Sequence, residues 1–196
     1  MALRWSITRK QLQTLLIQER RPDLRIIKLS DAPEKRWLNQ AGSTRELWLE
    51  TNDTSGAIML RISVATLTAP APFSLLPGLM RTFLPLDDIA VELAINGKHL
   101  WAYKHDVVQF SGDSETAMVA INQPGRALNI MSDFRSACHT VEVKSSGTVD
   151  CHSVIALDDW HGPLKLRPGD LIISAGTAVQ IGGKSAVVQL TERDGM

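Results

Sequence analysis

The sequence has little of the chemistry from which metal, redox and nucleophilic centres are built. Only two of its 196 residues are cysteines, Cys138 and Cys151, and no Cys-x-x-Cys pair occurs, which disfavours a thiolate zinc site or a redox dithiol. The five histidines include no His-x-His pair, although histidines on separate strands could still converge. Gly-x-Ser-x-Gly is absent, and Cys138 and His139 would point to opposite faces of a strand. We therefore expect no metal, no cofactor and no catalytic residue.

Neither an excess of charge nor a long apolar run is present. Lys and Arg number 21 and Asp and Glu number 21, so net charge gives no reason to expect a nucleic acid or a membrane surface as partner. No apolar run approaches the ~20 residues of a membrane span, and the first ten residues lack the apolar segment of a secretory signal. Two free cysteines suit a reducing compartment, which predicts a cytoplasmic protein.

The first 22 residues have a helical pattern that the rest of the chain lacks. Thr8 and Gln11 have capping-box spacing, leucines follow at helical intervals, and Pro22 ends the pattern. Residues 1–36 carry nine basic and four acidic side chains, a local net charge of +5. We predict a short extra N-terminal helix over residues 1–22 that packs on the body of the protein. The alternative is a basic arm that docks on an acidic partner or nucleic acid, although no aromatic residues alternate with its basic ones in support.

After Pro22 the apolar period changes from helical spacing to two, which is typical of strands. Many short runs follow, among them residues 44–49, 58–66 and 163–166, and Asn96-Gly97 between two such runs predicts a tight hairpin. This spacing of strands and turns predicts an all-β sandwich or barrel with little helix after residue 22. A weak seam near Ser136 predicts a larger β unit over residues 23–135 and a smaller one over 136–196.

Three arginines occur on or beside three consecutive predicted strands: Arg45, Arg61 and Arg81. If those strands line one barrel, the guanidinium groups can converge on a ligand carboxylate, which they bind by two-point contacts. The alternative is that each arginine lies on the surface and pairs with a local acid such as Glu46 or Glu50.

Four blocks of residues carry a resemblance to a known family. They are Trp37-x-Asn39-x-x-Gly42-x-Thr44-Arg45-Glu46, Phe73-Ser74-x-x-Pro77-Gly78-x-x-Arg81, Gly112-Asp113 and Leu128-Asn129-Ile130-Met131. In order and spacing they resemble the HutD/Ves family over about residues 23–192. Departures such as Leu38 and Leu86-Asp87-Asp88 fall at the presumed rim of its pocket.

The resemblance implies a cupin-like fold with two β-barrel units in one chain and a role in binding small molecules. Some members of the family are encoded with the histidine-utilisation enzymes and are thought to restrain that pathway by sensing an intermediate such as N-formylglutamate or urocanate. The family is not known to need a metal. We therefore expect a regulatory protein that binds a small organic acid, and not an enzyme.

The predicted ligand site combines the arginines with polar residues of the matched blocks. Arg45 and Arg81 are expected to hold carboxylates, and Asn129 to bind the neutral part of the ligand. The further candidates are Arg61, Thr44 and Ser74 as polar contacts and Trp37 as a wall. One alternative is a metal-independent isomerase or lyase acting on a small carboxylic acid, with Glu46 as general base. Another is an interaction protein that uses its basic N-terminal helix, and an exposed edge strand would also permit a homodimer.

Overall fold

The structure, a computed structural model, describes residues 24–174 and 177–193. The predicted N-terminal helix over residues 1–22 lies outside the described residues. Within them the fold is all-β, with seventeen strands and one short 3-10 helix at Leu29–Asp31, which confirms the prediction of little helix after residue 22. No helix in this part of the chain could span a lipid bilayer.

The strands are named in chain order. They are β1 (Arg25–Ile27), β2 (Glu34–Arg36), β3 (Gly42–Thr51), β4 (Ile58–Leu67), β5 (Ala71–Pro72), β6 (Leu79–Pro85), β7 (Val91–Ile95), β8 (Lys98–Ala102), β9 (Val108–Ser111), β10 (Thr116–Ile121), β11 (Gly125–Asp133), β12 (Ala137–Lys144), β13 (Gly147–Val149), β14 (Ser153–Ala156), β15 (Leu171–Ile173), β16 (Val179–Ile181) and β17 (Ser185–Glu192).

The longest strands form a six-stranded central sheet in the order β2-β3-β4-β11-β6-β9. Its inner strands are buried on both faces, as the sequence of β4 requires: Leu60, Ile62 and Val64 alternate with Ser63 and Ala65, and all five are buried. A strand that is buried on both faces lies between two layers, so the central sheet has a neighbouring sheet on each side.

Each face of the central sheet closes a separate core. On one face Phe83 and Ala127 pack with Leu93 and Met118 of an outer four-stranded sheet, whose order is β5-β10-β7-β8. On the other face Leu84 packs with residues of a five-stranded sheet, in the order β1-β15-β14-β17-β12. The far side of that five-stranded sheet is covered by the β13-β16 pair.

Several local predictions can be compared with these strands. The predicted strands at 44–49 and 58–66 lie within β3 and β4, and the Asn96-Gly97 hairpin joins β7 to β8 with φ of 48° and 76° at its two central residues. The strand predicted at 163–166 is wrong, because those residues form an irregular loop. Residues 25–27, placed by the sequence in the larger unit, pair with β15 of the five-stranded sheet.

A buried polar network joins the central sheet to the five-stranded sheet. His139 on β12 is fully buried, with its Nε2 atom 2.9 Å from Thr82 Oγ1 on β6 and its Nδ1 atom 2.7 Å from Ser132 Oγ on β11. Both ring nitrogens therefore have a partner. Burial lowers the pKa of His139 to about 4, so the ring is neutral at pH 7.

Candidate ligand-binding site

A cavity of about 520 Å³ opens on the face of the central sheet that is turned towards the outer four-stranded sheet. The segment that runs from β2 to residue 39 forms one side of its mouth, and the loop after β5 forms the other. Six of the seven residues predicted from the sequence line it: Trp37, Thr44, Arg61, Ser74, Arg81 and Asn129.

The floor of the cavity is set by the register of three neighbouring strands. Met131 on β11 is the cross-strand partner of Arg61 on β4 and of Arg81 on β6. In the adjacent row of the sheet, Asn129 stands between Ser63 and Phe83. Neighbouring strands lie ~4.8 Å apart, so the Cα atoms of the two arginines are separated by roughly 10 Å, with the methionine between them. Sequence positions 61, 81 and 129 are thus brought onto one surface.

Arg81 is a buried cation for which the described part of the chain provides no matching anion. Its residue is 7% exposed, and its guanidinium lies over the rings of Phe73 and Phe110 at 5.1 and 5.3 Å. Nη1 donates to the backbone carbonyl of Ser74 at 3.1 Å, whereas Nε is buried and has no hydrogen-bond partner within residues 24–174 and 177–193. No carboxylate of the described residues pairs with it. Burial, and then the charge of Arg61, lower the pKa of Arg81 to about 10, so it stays protonated at neutral pH.

Arg61, in contrast, has its own acid. Its Nε lies 2.6 Å from Glu46 Oε2, and its Nη1 lies 3.9 Å from the sulfur of Met131. Glu46 is the cross-strand partner of Ser63, so it shares the cavity face of the sheet, but it does not line the cavity. The alternative drawn from the sequence, in which an arginine pairs with a local acid, therefore describes Arg61.

The polar groups between and above the arginines are of two kinds. Asn129 is half-buried, and its side chain makes no hydrogen bond with any residue of the described chain, so its amide faces the cavity unpaired. The Thr44 hydroxyl is engaged, because it accepts a hydrogen bond from Trp37 Nε1 at 2.8 Å. Ser74 contributes its carbonyl to Arg81 and has an exposed side chain.

Trp37 is held against the sheet by a glycine. A Cβ at Gly42 would lie 2.3 Å from the carbonyl oxygen of Thr66 and 3.0 Å from the Trp37 ring, so only glycine allows this approach. The glycine of the first sequence block thus shapes the cavity wall without touching a ligand.

Arg45 lies elsewhere, and its predicted role as a carboxylate clamp is withdrawn. It is the cross-strand partner of Val64, whose side chain packs in the core on the opposite face of the central sheet. Its Nη1 donates to the Ala32 carbonyl, and its Nη2 lies 3.2 Å from Glu34 Oε2. Thr44 and Arg45 are neighbours on a strand, so only one of them can face the cavity.

Two further features of the site were not predicted from the sequence. Lys35 and Arg36 on β2 line the mouth, and both are exposed. Phe110 closes the far side of the Arg81 guanidinium from β9. Phe73 had a signal in the Phe-Ser block, whereas nothing local marks Phe110, because its role depends on the pairing of β9 with β6. No group of three or more His, Cys, Asp or Glu side chains within residues 24–174 and 177–193 is placed to hold a metal ion.

The fold and the cavity together define an all-β, cupin-like protein with an internal cavity that has two arginines, Arg61 and Arg81, on its floor. The model of the HutD family matches residues 29–188, and the chain belongs to that family. Comparison with curated proteins gave no significant match.

Solved structures agree with this assignment. HutD from Pseudomonas fluorescens SBW25, in a structure described as a formate condition, is 19% identical, with a TM-score of 0.77 over 88% of this chain and 100% of that one. The conserved protein of unknown function PA5104 from Pseudomonas aeruginosa PAO1 is 20% identical, with a TM-score of 0.73 over 86% and 99% of the two chains. YlbA from E. coli is 7% identical, with a TM-score of 0.63 over 90% and 94%. At these identities the likeness establishes the fold.

Proposed function

We propose that the protein binds a small organic acid in this cavity and acts as a regulator. The observation that carries the proposal is the buried guanidinium of Arg81, whose Nε has no hydrogen-bond partner and which pairs with no carboxylate among the described residues. Burying a charge without a counter-charge is costly, and a bound carboxylate offsets that cost. An arginine kept in such a place is better explained by a ligand than by stability.

The rest of the cavity suits the remainder of such a ligand. The Asn129 amide offers a donor and an acceptor to an uncharged polar group. Trp37, Phe73 and Phe83 provide apolar walls for a carbon skeleton. Membership of the HutD family supports a link to histidine utilisation, with N-formylglutamate and urocanate as candidate ligands. No acidic side chain of the described residues lines the cavity, so a general base is lacking and a binding role is favoured over an isomerase or lyase.

We further propose that the layers correspond to two cupin-like units. The central and outer four-stranded sheets enclose one core, and the five-stranded sheet with the β13-β16 pair encloses another. The proposed boundary falls between β11 and β12, with residues 25–27 crossing to pair in the second unit. A cytoplasmic location and a homodimer stay part of the proposal.

A thermal-shift titration with formate, urocanate and N-formylglutamate tests the binding function. At least one acid is expected to raise the melting temperature, because a ligand at a hundredfold excess over its Kd stabilises the folded state by ~2.7 kcal/mol. Arg81→Lys should lower the affinity for that acid roughly ten- to hundredfold, since an ammonium group does not reproduce the planar two-point contact of a guanidinium. The matched control is Arg45→Lys, which alters an arginine outside the cavity. Equal loss in both variants, or no shift with any acid, would contradict the proposal.

A further inference from the structure

The described residues place two arginines on the floor of the cavity, and only one of these two is left without an acidic partner. Arg81 has no acidic partner among the described residues, whereas Arg61 is 2.6 Å from the carboxylate of Glu46. The two guanidinium groups lie close enough for the charge of Arg61 to lower the pKa of Arg81. Because Glu46 neutralises one of the two guanidinium groups, the number of ligand carboxylates that the floor can match depends on Glu46.

Glu46 is well placed to set that number. It stands opposite Ser63 on the cavity face of the sheet, diagonally from Arg61, and its contact to Nε is short enough for a charge-assisted hydrogen bond. A ligand carboxylate that approaches Arg61 meets a guanidinium already neutralised, and it also meets the like charge of Glu46. A ligand carboxylate that approaches Arg81 meets neither obstacle.

We propose that Glu46 is a specificity-determining residue, which by neutralising Arg61 restricts the cavity to acids that carry a single carboxylate. This inference rests on the proposed function of the cavity as a carboxylate site. The side chains of Lys35 and Arg36 at the mouth are exposed, whereas that of Arg61 on the floor is 28% exposed, so water and salt screen a ligand contact at the mouth more strongly than one on the floor. Of the two candidate ligands, the inference favours urocanate, with one carboxylate, over N-formylglutamate, with two.

The test compares valerate with glutarate, which share a five-carbon chain and differ by one carboxylate. Calorimetric titration of the wild-type protein should give a Kd for valerate no larger than that for glutarate. In Glu46→Gln the amide leaves Arg61 free to bind, and glutarate should gain roughly ten- to hundredfold relative to valerate. The matched control, Glu34→Gln, removes the partner of Arg45 outside the cavity and should leave the ratio of the two Kd values unchanged.

A second pair of variants keeps the test decisive if Glu46→Gln folds poorly. In Arg61→Gln the unpaired Glu46 should shift the ratio further towards valerate, and the double variant Glu46→Gln, Arg61→Gln should recover the preference for valerate. A wild-type preference for glutarate, or an unchanged ratio in the Glu46 and Arg61 variants, would overturn the inference. If either of these results is found but Arg81→Lys still weakens the binding of valerate, the proposed function stands and only the role proposed for Glu46 is wrong. If neither valerate nor glutarate binds the wild-type protein at millimolar concentration, the inference about Glu46 is wrong, and the proposed function falls with it if the thermal-shift titration also gives no response to any acid.

Discussion

Arg81 and Thr82 are neighbours on β6, and their side chains serve two very different buried polar sites. On one face, Arg81 lies beside the cavity, and its Nε has no hydrogen-bond partner in the part of the chain that the structure describes. On the other face, Thr82 and Ser132 satisfy both ring nitrogens of His139 in a region without water-accessible surface. Buried polar groups that are fully hydrogen-bonded help to fix how strands pack, whereas a buried polar group without a partner is explained by a ligand that supplies one. The difference separates the structural face of the sheet from the binding face.

The largest effect expected on the structural face is a loss of stability in acid. The pKa of His139 is lowered to about 4 in the folded protein, from 6.5 in the unfolded chain, so the unfolded state takes up a proton first as the pH falls. The free energy of unfolding should therefore be insensitive to His139 above pH 6.5 and decline between pH 6.5 and 4, by roughly 3 kcal/mol in total.

Urea unfolding at pH 7.5, 6 and 4.5 measures this decline, and His139→Gln provides the comparison, because glutamine is polar but does not titrate. His105 is also buried, and burial lowers its pKa in the same direction, so the difference between the wild-type protein and the variant isolates His139. Parallel declines in both proteins would show that His139 does not carry the effect.

The next largest effect is expected from Thr82→Val, which removes a hydroxyl from the same network at nearly constant volume. His139 Nε2 would then be buried without its partner, at a cost of about 1–3 kcal/mol in the free energy of unfolding. Affinity for an acid should stay within about twofold of the wild-type value, since the side chain faces away from the cavity. An affinity loss as large as that of Arg81→Lys would erase the distinction between the two faces of β6.

The smallest effect is expected at Arg45, whose charge lies outside the cavity. Its ion pair with Glu34 is half-exposed, and such pairs contribute about 0–1 kcal/mol. Arg45→Lys should therefore change the melting temperature little and leave acid binding as it is. A tenfold loss of affinity would restore Arg45 to the site and contradict the side-chain direction in the structure.

The sequence was sufficient for the all-β class, the hairpin at Asn96-Gly97 and six of the cavity residues, for two separate reasons. Period-two patterning and turn residues are local, so strands such as β4 can be read directly. The resemblance to the family then pointed to blocks that the register of the central sheet brings together.

What the sequence did not reveal depends on pairing between distant strands. Arg45 and Arg81 occupy similar places in their sequence blocks, but Arg45 faces away from the cavity. Successive residues of β3 face opposite sides of the sheet, so a shift of one residue decides which side chain faces the cavity. The sequence offered Glu46 as a local acid but not the arginine that it pairs with, because the contact with Arg61 runs diagonally across β3 and β4. Phe110 reaches Arg81 only through the pairing of β9 with β6. The strand wrongly predicted at 163–166 contains apolar residues, but in the structure they lie in a loop, where Leu164 and Leu166 pack against the core beneath the β13-β16 pair.

The central claim is that the buried guanidinium of Arg81 binds the carboxylate of a ligand and does not stabilise the fold. The variant Arg81→Met tests it most directly. Methionine retains an apolar, polarisable contact with Phe73 and Phe110 but carries no charge. Without ligand, the free energy of unfolding of the variant should be no more than about 1 kcal/mol below that of the wild type, or should exceed it. With the acid that binds the wild type best, the melting temperature of the variant should not change. A variant that is several kcal/mol less stable, yet still binds the acid as the wild type does, would show that Arg81 serves the fold and would contradict the account.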